Sequence, residues 1–421
     1  MAKIIIIGCG LGGLAFALKY KGQAEIEICE KRNREDLGFP WCDTIRLSSF
    51  IDNDFVLPEL ALNKKKRFYM TIPDSKGKII QRKKIEEERA EINRKAFIDF
   101  FIDQAQAKAK ITFGKGVIDL IMSGDKIEGV VFEDGSSESA DLVIDSSGAF
   151  STIRQKLPLS ITDYSPDNNE TMHYYRGYYL PNVDQEETEY DCVYLKTMGE
   201  NAIAWVRTAP NGYLDVFIAH MGGLDDEFIQ KVFDDLSART SRLSSTAVFV
   251  KRGCLALRYP LSRIVFDNFA LVGDSAYMSM PMTGSGMDNA IYAGVLLASV
   301  VDEIEDDFSI KNLWKYQSKY FHSLGSNMYV ADMLLRYGMQ LETSDVIWFF
   351  NEFVGAKYTP KEIQRKLKTV FEKKVLTSVG FKVLGKMIKA KALALRVPIV
   401  YDKDSVDAWS EKYDYFIRYG E

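Results

Sequence analysis

The feature that most constrains this chain lies within its first thirty residues. Lys3 to Ile7 is a short apolar run, Gly8-Cys9-Gly10-Leu11-Gly12-Gly13 follows, and Leu14 to Tyr20 has the alanine-rich look of a helix. A second apolar run, Glu25 to Cys29, ends on Glu30. Strand, glycine turn, helix, strand is the setting in which a G-x-G-x-x-G sequence has physical meaning. Gly8 permits the tight turn, Gly10 lets the backbone approach a pyrophosphate, and Gly13 lets helix and strand pack closely. The unpaired N–H groups and the dipole of the helix favour an anion there. Glu30, closing the second strand, is placed to accept both hydroxyls of an adenosine ribose. A dinucleotide is expected, and this turn alone leaves the choice between FAD and NAD open.

The rest of the chain is too long for one core: 421 residues at roughly 150 per domain suggests about three units. Residues 31 to 85 are irregular, with Pro40, Pro58 and Pro73 and a hairpin expected from Arg67 to Gln81 around Asp74 to Gly77. Ile85 to Ala109 reads as a helix, because Ala96, Phe97, Phe100, Phe101 and Ala105 make one apolar stripe. Short strands are expected from Ile111 to Phe132, and Leu142-Val143-Ile144 is a buried strand. Between 164 and 255 the texture changes. Tyr174, Tyr175, Tyr178, Tyr179, Tyr190 and Tyr194 sit among alternating runs, and a helix is expected from Asp225 to Leu236. A strand from Val265 to Val272 and a helix from Asp288 to Ile304 follow, and the remainder reads as helical. The predicted fold class is α/β: a Rossmann-like nucleotide domain with an inserted antiparallel-sheet substrate domain and a C-terminal helical region. The expected boundaries are 1–60, 86–160 and 256–309 for the first, 61–85 and 161–255 for the second, and 310–421 for the third.

Composition excludes several classes. Lys plus Arg at 54 against Asp plus Glu at 59 gives a net charge of -5, which argues against nucleic acid as a main partner. The cysteines at 9, 29, 42, 192 and 254 form no C-x-x-C pair, and His173, His220 and His322 share no metal-ligand spacing. No metal site is expected, and the chain reads as reduced and cytoplasmic. There is no signal-peptide pattern and no run of about 18 or more apolar residues. No G-x-S-x-G elbow supports covalent hydrolysis.

Three later segments decide the cofactor. Asp141 to Arg154, with Asp145-Ser146-Ser147-Gly148 at its centre, resembles the second motif of flavoprotein hydroxylases and their relatives. Leu271-Val272-Gly273-Asp274-Ser275-Ala276, continuing through Pro281-Met282-Thr283-Gly284-Ser285-Gly286-Met287, resembles their flavin-binding motif. Asp274 can accept from a ribityl hydroxyl, and Gly284 and Gly286 are expected to expose backbone N–H groups just before a helix. Arg94, in Glu91-Ile92-Asn93-Arg94-Lys95-Ala96-Phe97, is similar to the arginine that opens the helix beside the cofactor in that superfamily. The resemblance implies FAD.

Within this p-hydroxybenzoate-hydroxylase-like superfamily, residues 1 to about 310 most resemble the geranylgeranyl reductases, which saturate isoprenoid chains. Gly38-Phe39-Pro40-Trp41-Cys42-Asp43 resembles their loop in which a Pro and a Cys face the flavin, and Asn201 to Gly212 takes the place of their tunnel-lining aromatic-x-Trp-x-Phe-Pro strand. Trp205 is retained, but Ile203 stands where the preceding aromatic belongs, Arg207-Thr208 where Phe-Pro belongs, and Tyr277 where a small glycine is customary near the flavin. These departures put the substrate, not the cofactor, in question. The resemblance implies hydride delivery from N5 of reduced flavin to an isoprenoid double bond, with Trp205, Tyr175, Tyr178, Ile203 and Arg207 beside the substrate. Cys42, Tyr277 or a flavin-bound water would give the proton. The electron donor would be a reduced nicotinamide or a small redox protein. The competing reading is an FAD-dependent monooxygenase, a hydroxylase or epoxidase, on an apolar or aromatic substrate.

The last hundred residues carry basic amphipathic sequence: Thr359-Pro360-Lys361 suits a helix start, then come Arg365, Lys366, Lys368, Lys373 and Lys374, then Val375 to Lys389. Such helices lie on an anionic membrane surface or pack on the body with their lysines in water, and both readings stay open. Tyr413, Tyr415, Phe416 and Tyr419 form an aromatic end.

Overall fold

Four successive isoleucines, Ile4 to Ile7, are buried on both sides, which only the middle of a two-sided sheet allows. They form β1 (Lys3–Ile7), paired in parallel with β2 (Glu25–Glu30) and with β10 (Leu142–Asp145). The sheet extends through β6 (Lys110–Phe113) on one side and β17 (Phe269–Leu271) on the other, with β16 (Val265–Phe266) as an antiparallel edge. α1 (Leu11–Lys19) leaves β1 through the glycine turn. It lies against α4 (Met287–Glu303) so closely that a Cβ at Gly294 would stand 2.1 Å from the Gly12 carbonyl oxygen. The computed structural model describes residues 1–46, 52–55, 61–73, 79–159, 165–182, 192–340 and 378–419.

A second sheet of eight strands runs in the order β15–β11–β14–β13–β12–β4–β5–β3, with β3 (Cys42–Arg46), β4 (Ala61–Pro73), β5 (Ile79–Asn93), β11 (Thr171–Pro181), β12 (Cys192–Leu195), β13 (Ala202–Thr208), β14 (Leu214–Met221) and β15 (Leu243–Ala256). It is antiparallel except between β12 and β4. The helix expected from Ile85 is a correction. β5 continues to Asn93, and α2 (Arg94–Ala105) starts only there, with the Asn93 side chain accepting from the Ala96 N–H at 3.0 Å. The Lys- and Glu-rich sequence favours helix locally, but pairing with β3 and β4 overrides propensity. A small sheet of β7 (Val117–Ser123), β8 (Lys126–Phe132) and β9 (Ser137–Ser139) completes the strands.

Alternation along the eight-stranded sheet separates two faces. One is covered by α3 (Asp226–Arg239), whose Ile229, Val232 and Leu236 meet Ala204, Val216, Ile218 and Tyr179. The other gathers Trp41, Tyr174, Tyr178 and Phe217, with Phe39, Ile203, Trp205 and Phe249 partly buried around them. The C-terminal helices are α5 (Ile310–Tyr320), α6 (Ser326–Gly338), α7 (Ser378–Ala394) and α8 (Lys403–Tyr419). Of the aromatic end, Tyr413 is buried and stacks on Tyr329 at 4.0 Å, and Phe416 is buried, whereas Tyr415 and Tyr419 face solvent. Residues 359 to 374 and the start of the basic run at Val375 lie outside the described residues. No helix among the described residues is long and apolar enough to cross a membrane.

Candidate active site

The glycine turn closes on the end of β10. Gly8 is left-handed at φ +85°, as its turn requires. A Cβ on Gly10 would stand 2.3 Å from the Ser146 carbonyl oxygen and 2.4 Å from its Oγ, which itself accepts the Gly13 N–H at 3.0 Å. Gly10 caps α1 with no side-chain bond, and no acidic residue occupies the first turn, so the positive end of the helix is left for an external anion. Glu30 is buried. Its Oε2 accepts the Cys9 N–H at 2.9 Å, and its Oε1 accepts from Arg32 through N–H and Nε at 3.0 and 3.1 Å. A carboxylate has about four lone-pair sites, so Oε2 keeps one for a ribose hydroxyl. This donor set fits the adenosine half of a dinucleotide.

The segment from Asp145 to Arg154 braces the one from Val272 to Tyr277. The Asp145 carbonyl accepts from the Val272 N–H at 3.0 Å and the Ser275 hydroxyl at 2.6 Å. Its buried carboxylate accepts from the Ser147 N–H and the Ser151 hydroxyl. Arg154, fully buried, donates to the carbonyls of Ser275 and Ala149 and to the Tyr277 hydroxyl, each at 2.6 Å. Asp274 is partly exposed, accepts from the Ser279 hydroxyl at 2.6 Å, and would lie 3.1 Å from a Cβ on Gly286, the residue that caps α4. A carboxylate beside a helix N-terminus that no side chain caps fits the ribityl and flavin end of FAD. One expectation changes: the Gly284 N–H closes a turn on the Met280 carbonyl at 2.8 Å, so of the two glycines only Gly286 stands at the helix cap.

Tyr277 occupies a glycine's conformation, φ +56° and ψ 49°, and is buried. The Arg154 and Arg258 guanidinium carbons lie 4.2 and 4.4 Å from its ring centre. Arg258 pairs with Glu170, which also receives Arg336 of α6 at 2.7 Å, so the ring links the flavin motif to the C-terminal helices. Left-handed backbone costs about 1–2 kcal/mol at such a residue, whereas emptying a buried aromatic site costs about 3–5. Tyr277→Gly is therefore expected to lose about 2 kcal/mol net despite relieving strain. Urea unfolding checks this, and a variant as stable as the parent would contradict it.

The other half of the site is the aromatic face of the large sheet. Trp205 and Phe217 stack at 3.9 Å with planes 9° apart, Phe217 stacks on Tyr174, and Trp41 meets Tyr174 edge-on. Phe39 stacks on Trp41 at 4.4 Å. Beneath this face lies a charge network. Arg176 donates to Asp215 at 2.9 and 2.7 Å, to Asp43 at 2.8 Å and to the Cys42 carbonyl at 2.7 Å. Arg207 donates to Asp215 at 2.6 Å and to the same Cys42 carbonyl, and lies 3.7 Å from Glu91. Arg94 reaches Asp43 at 2.9 Å. Burial drives the Asp43 and Asp215 carboxyls upward, but the neighbouring guanidiniums outweigh it and hold both below their ordinary value, Asp43 well below it. The Cys42 N–H donates to the Tyr178 hydroxyl at 2.6 Å. Burial pushes the Cys42 thiol up, with the Tyr178 contact pulling partly back.

The expected site residues thus divide. Cys42, Tyr178, Trp205, Ile203 and Arg207 come together on one face, and Arg94 joins them through Asp43. Tyr175 does not. Its strand's alternation sends it to the α3 face, where its hydroxyl meets that of Tyr179, and Tyr174 takes the place expected for it. His220 also lies on the far side, against Phe228. The sequence reading missed Arg176, Asp215 and Glu91. A signal existed in the charges at inward registers of otherwise apolar strands, such as Asp215 between Leu214 and Val216. Among the described residues no group of His, Cys, Asp and Glu is arranged to hold a metal.

No family model matches the chain. Among curated proteins, it is 22% identical over 352 residues to the digeranylgeranylglycerophospholipid reductase of Methanothrix thermoacetophila, covering 77% of this chain and 84% of that one. The enzyme of the same name from Sulfolobus acidocaldarius is 24% identical over 250 residues, covering 51% of this chain and 52% of its own. Among solved structures, a geranylgeranyl bacteriochlorophyll reductase-like protein from Thermoplasma acidophilum superposes with a TM-score of 0.75 at 18% identity, over 92% of this chain and 99% of that one. CtdE, solved with FAD and substrate, gives 0.63 at 16% identity, over 88% and 98%. The fold is the one these FAD-binding proteins share, and the two glycine-turn sites fit a dinucleotide such as FAD. Within that class, the chain is similar to the geranylgeranyl reductases over most of its length.

Proposed function

We propose that this protein saturates carbon–carbon double bonds in the isoprenoid chain of a lipid-like substrate. The observation that carries the reading is the aromatic face of Trp205, Phe217, Tyr174 and Tyr178, which adjoins the Cys42 residue through the Tyr178 hydroxyl. The names borne by the curated relatives support it. Bound and reduced, FAD supplies the hydride. Gly10, Glu30, Asp274 and Gly286 hold it, with Gly8 and Gly13 shaping the turn. The stacked rings bind and align a flexible hydrocarbon and exclude water, which is where much of the barrier reduction lies. A hydride added to one alkene carbon requires a proton at its neighbour. The Cys42 sulfur holds that proton, and burial, by raising the thiol above its ordinary value, keeps it protonated at neutral pH. Tyr277, whose hydroxyl is engaged by Arg154, holds the flavin motif in place. A nicotinamide or a small redox protein would supply electrons. The solvent-facing Ile388 and Lys389 of α7 would let that helix rest on a lipid surface.

An anaerobic experiment tests this. The FAD-loaded protein is reduced with dithionite and mixed with digeranylgeranylglycerophospholipid or geranylgeranyl diphosphate, while flavin reoxidation and product mass are followed. Reoxidation without oxygen, with the product gaining a pair of hydrogens, is the expected result. Reoxidation only once oxygen enters, with an oxygen atom gained by the substrate, would replace the reductase with a monooxygenase.

A further inference from the structure

We infer that Arg207 is a positioning residue for the Cys42 thiol, acting with Arg176 through the Cys42 carbonyl; the inference rests on Cys42 being the proton donor proposed above. Arg207 shares its register with Ile203 and Trp205 on β13, so its stem leaves the strand on the substrate side. A guanidinium left there would stand against hydrocarbon and lose its hydration. It turns back instead. Its Nε donates to Asp215 Oδ2 at 2.6 Å, one terminal nitrogen approaches Glu91, and the other donates to the Cys42 carbonyl. That oxygen receives a second donor from Arg176 at 2.7 Å, while the Cys42 N–H is taken by Tyr178 at 2.6 Å.

Both polar groups of the Cys42 main chain are therefore fixed by side chains of the substrate sheet: Arg176 and Tyr178 of β11 and Arg207 of β13. Asp215 of β14 ties the two arginines together, with Nε of each within 2.9 Å of its carboxylate. Three guanidiniums, of Arg94, Arg176 and Arg207, balance three carboxylates, of Asp43, Asp215 and Glu91, so the network sets a position without imposing a net charge on the chamber. Proton delivery to carbon is sensitive to placement, and an error of about 1 Å can cost roughly a hundredfold in rate.

The test reads the thiol rather than turnover. Full-length, FAD-loaded protein without substrate is treated with iodoacetamide, and alkylation of each cysteine is followed by peptide mass spectrometry. Cys42 is buried and is expected to react slowly in the parent protein. In Arg207→Phe its rate should rise roughly tenfold as the loop opens locally, with buried Cys9 and Cys29 unchanged. Arg207→Lys, which keeps a cation able to reach the Cys42 carbonyl but loses the planar fork, should raise the rate less than Arg207→Phe does. If Arg207→Phe fails to fold, Arg207→Phe with Glu91→Gln restores the charge balance and is measured the same way. An unchanged Cys42 rate would overturn the inference. So would an equal rise at Cys9 and Cys29, which signals general loosening, or Arg207→Lys reacting like Arg207→Phe, which signals lost packing. None of these readings needs an isoprenoid, so they stand whether or not the reductase reaction is found.

Discussion

Asp215→Asn is expected to destabilise the protein by about 3–5 kcal/mol, the usual cost of leaving buried charge without its partner. The amide keeps the shape of the carboxylate, so the loss measures charge rather than packing. Asp215 is wholly buried and pairs with both Arg176 and Arg207, at 2.7 and 2.6 Å. Without it, three guanidiniums face two carboxylates in a region closed to water. The pH dependence follows from the direction of the shift. The Asp215 carboxyl titrates below its ordinary value of 3.8 in the folded protein. Its contribution is therefore fully present above that ordinary value and fades as pH falls through the depressed folded one. The gap in urea stability between parent and variant should be constant from neutral pH to about pH 4 and narrow below it. Adding Arg207→Met to Asp215→Asn removes a charge of each sign and should recover at least part of the loss, because contacting residues are not additive. A gap that does not change with pH, or a double variant that sums the single effects, would show that the network is not coupled through this carboxylate.

What could be read in advance depended on how local each feature was. β1, the glycine turn, α1 and Glu30 lie within thirty residues, and period and turn chemistry specify them without tertiary help. Arg94 was legible as the start of a helix, yet the stretch before it was misread. Ile85 to Glu91 is built from good helix formers, and only the neighbouring strands β3 and β4 make it extended. The tyrosine doublets failed for a related reason. Tyr174-Tyr175 and Tyr178-Tyr179 offer an aromatic to either face, and a shift of one residue exchanges them. Pairing of β11 with β14 and β15 selects Tyr174 and Tyr178 for the face that carries Trp41 and Phe217. The charge network was the least legible. Asp43, Glu91, Arg176, Arg207 and Asp215 come from five strands, and nothing local in any of them specifies the others. The sequence comparison located Arg207 as a departure and took it for a cation lining the tunnel; the fold turns it toward Asp215 and the Cys42 carbonyl.

Gly10→Ala is expected to abolish retention of FAD through purification, and the reason lies in the protein before it lies in the cofactor. The new methyl would stand 2.3 Å from the Ser146 carbonyl oxygen, a main-chain atom of the residue that follows β10, and 2.4 Å from the hydroxyl that receives the Gly13 N–H. The hydroxyl can rotate away but the carbonyl oxygen is main chain, so the turn itself must move away from the strand. Overpacking of this kind costs about 1–3 kcal/mol in stability. The cofactor should suffer more than the fold, because the displaced turn carries the N-terminus of α1, whose N–H groups must meet the pyrophosphate in one place. A loss of affinity of a hundredfold, about 2.7 kcal/mol, is expected from displacement by a few tenths of an ångström at several donors together. Gly12→Ala is the informative control. Its methyl would meet first the Val272 side chain at 2.7 Å, which can rotate, and so it should keep more of its FAD. Flavin absorbance per mole of purified protein, with fluorescence titration of added FAD, measures both. If Gly10→Ala binds FAD as tightly as Gly12→Ala, Ser146 yields more easily than its place at the end of β10 implies, and the close approach of strand and glycine turn is not what fixes the pyrophosphate site.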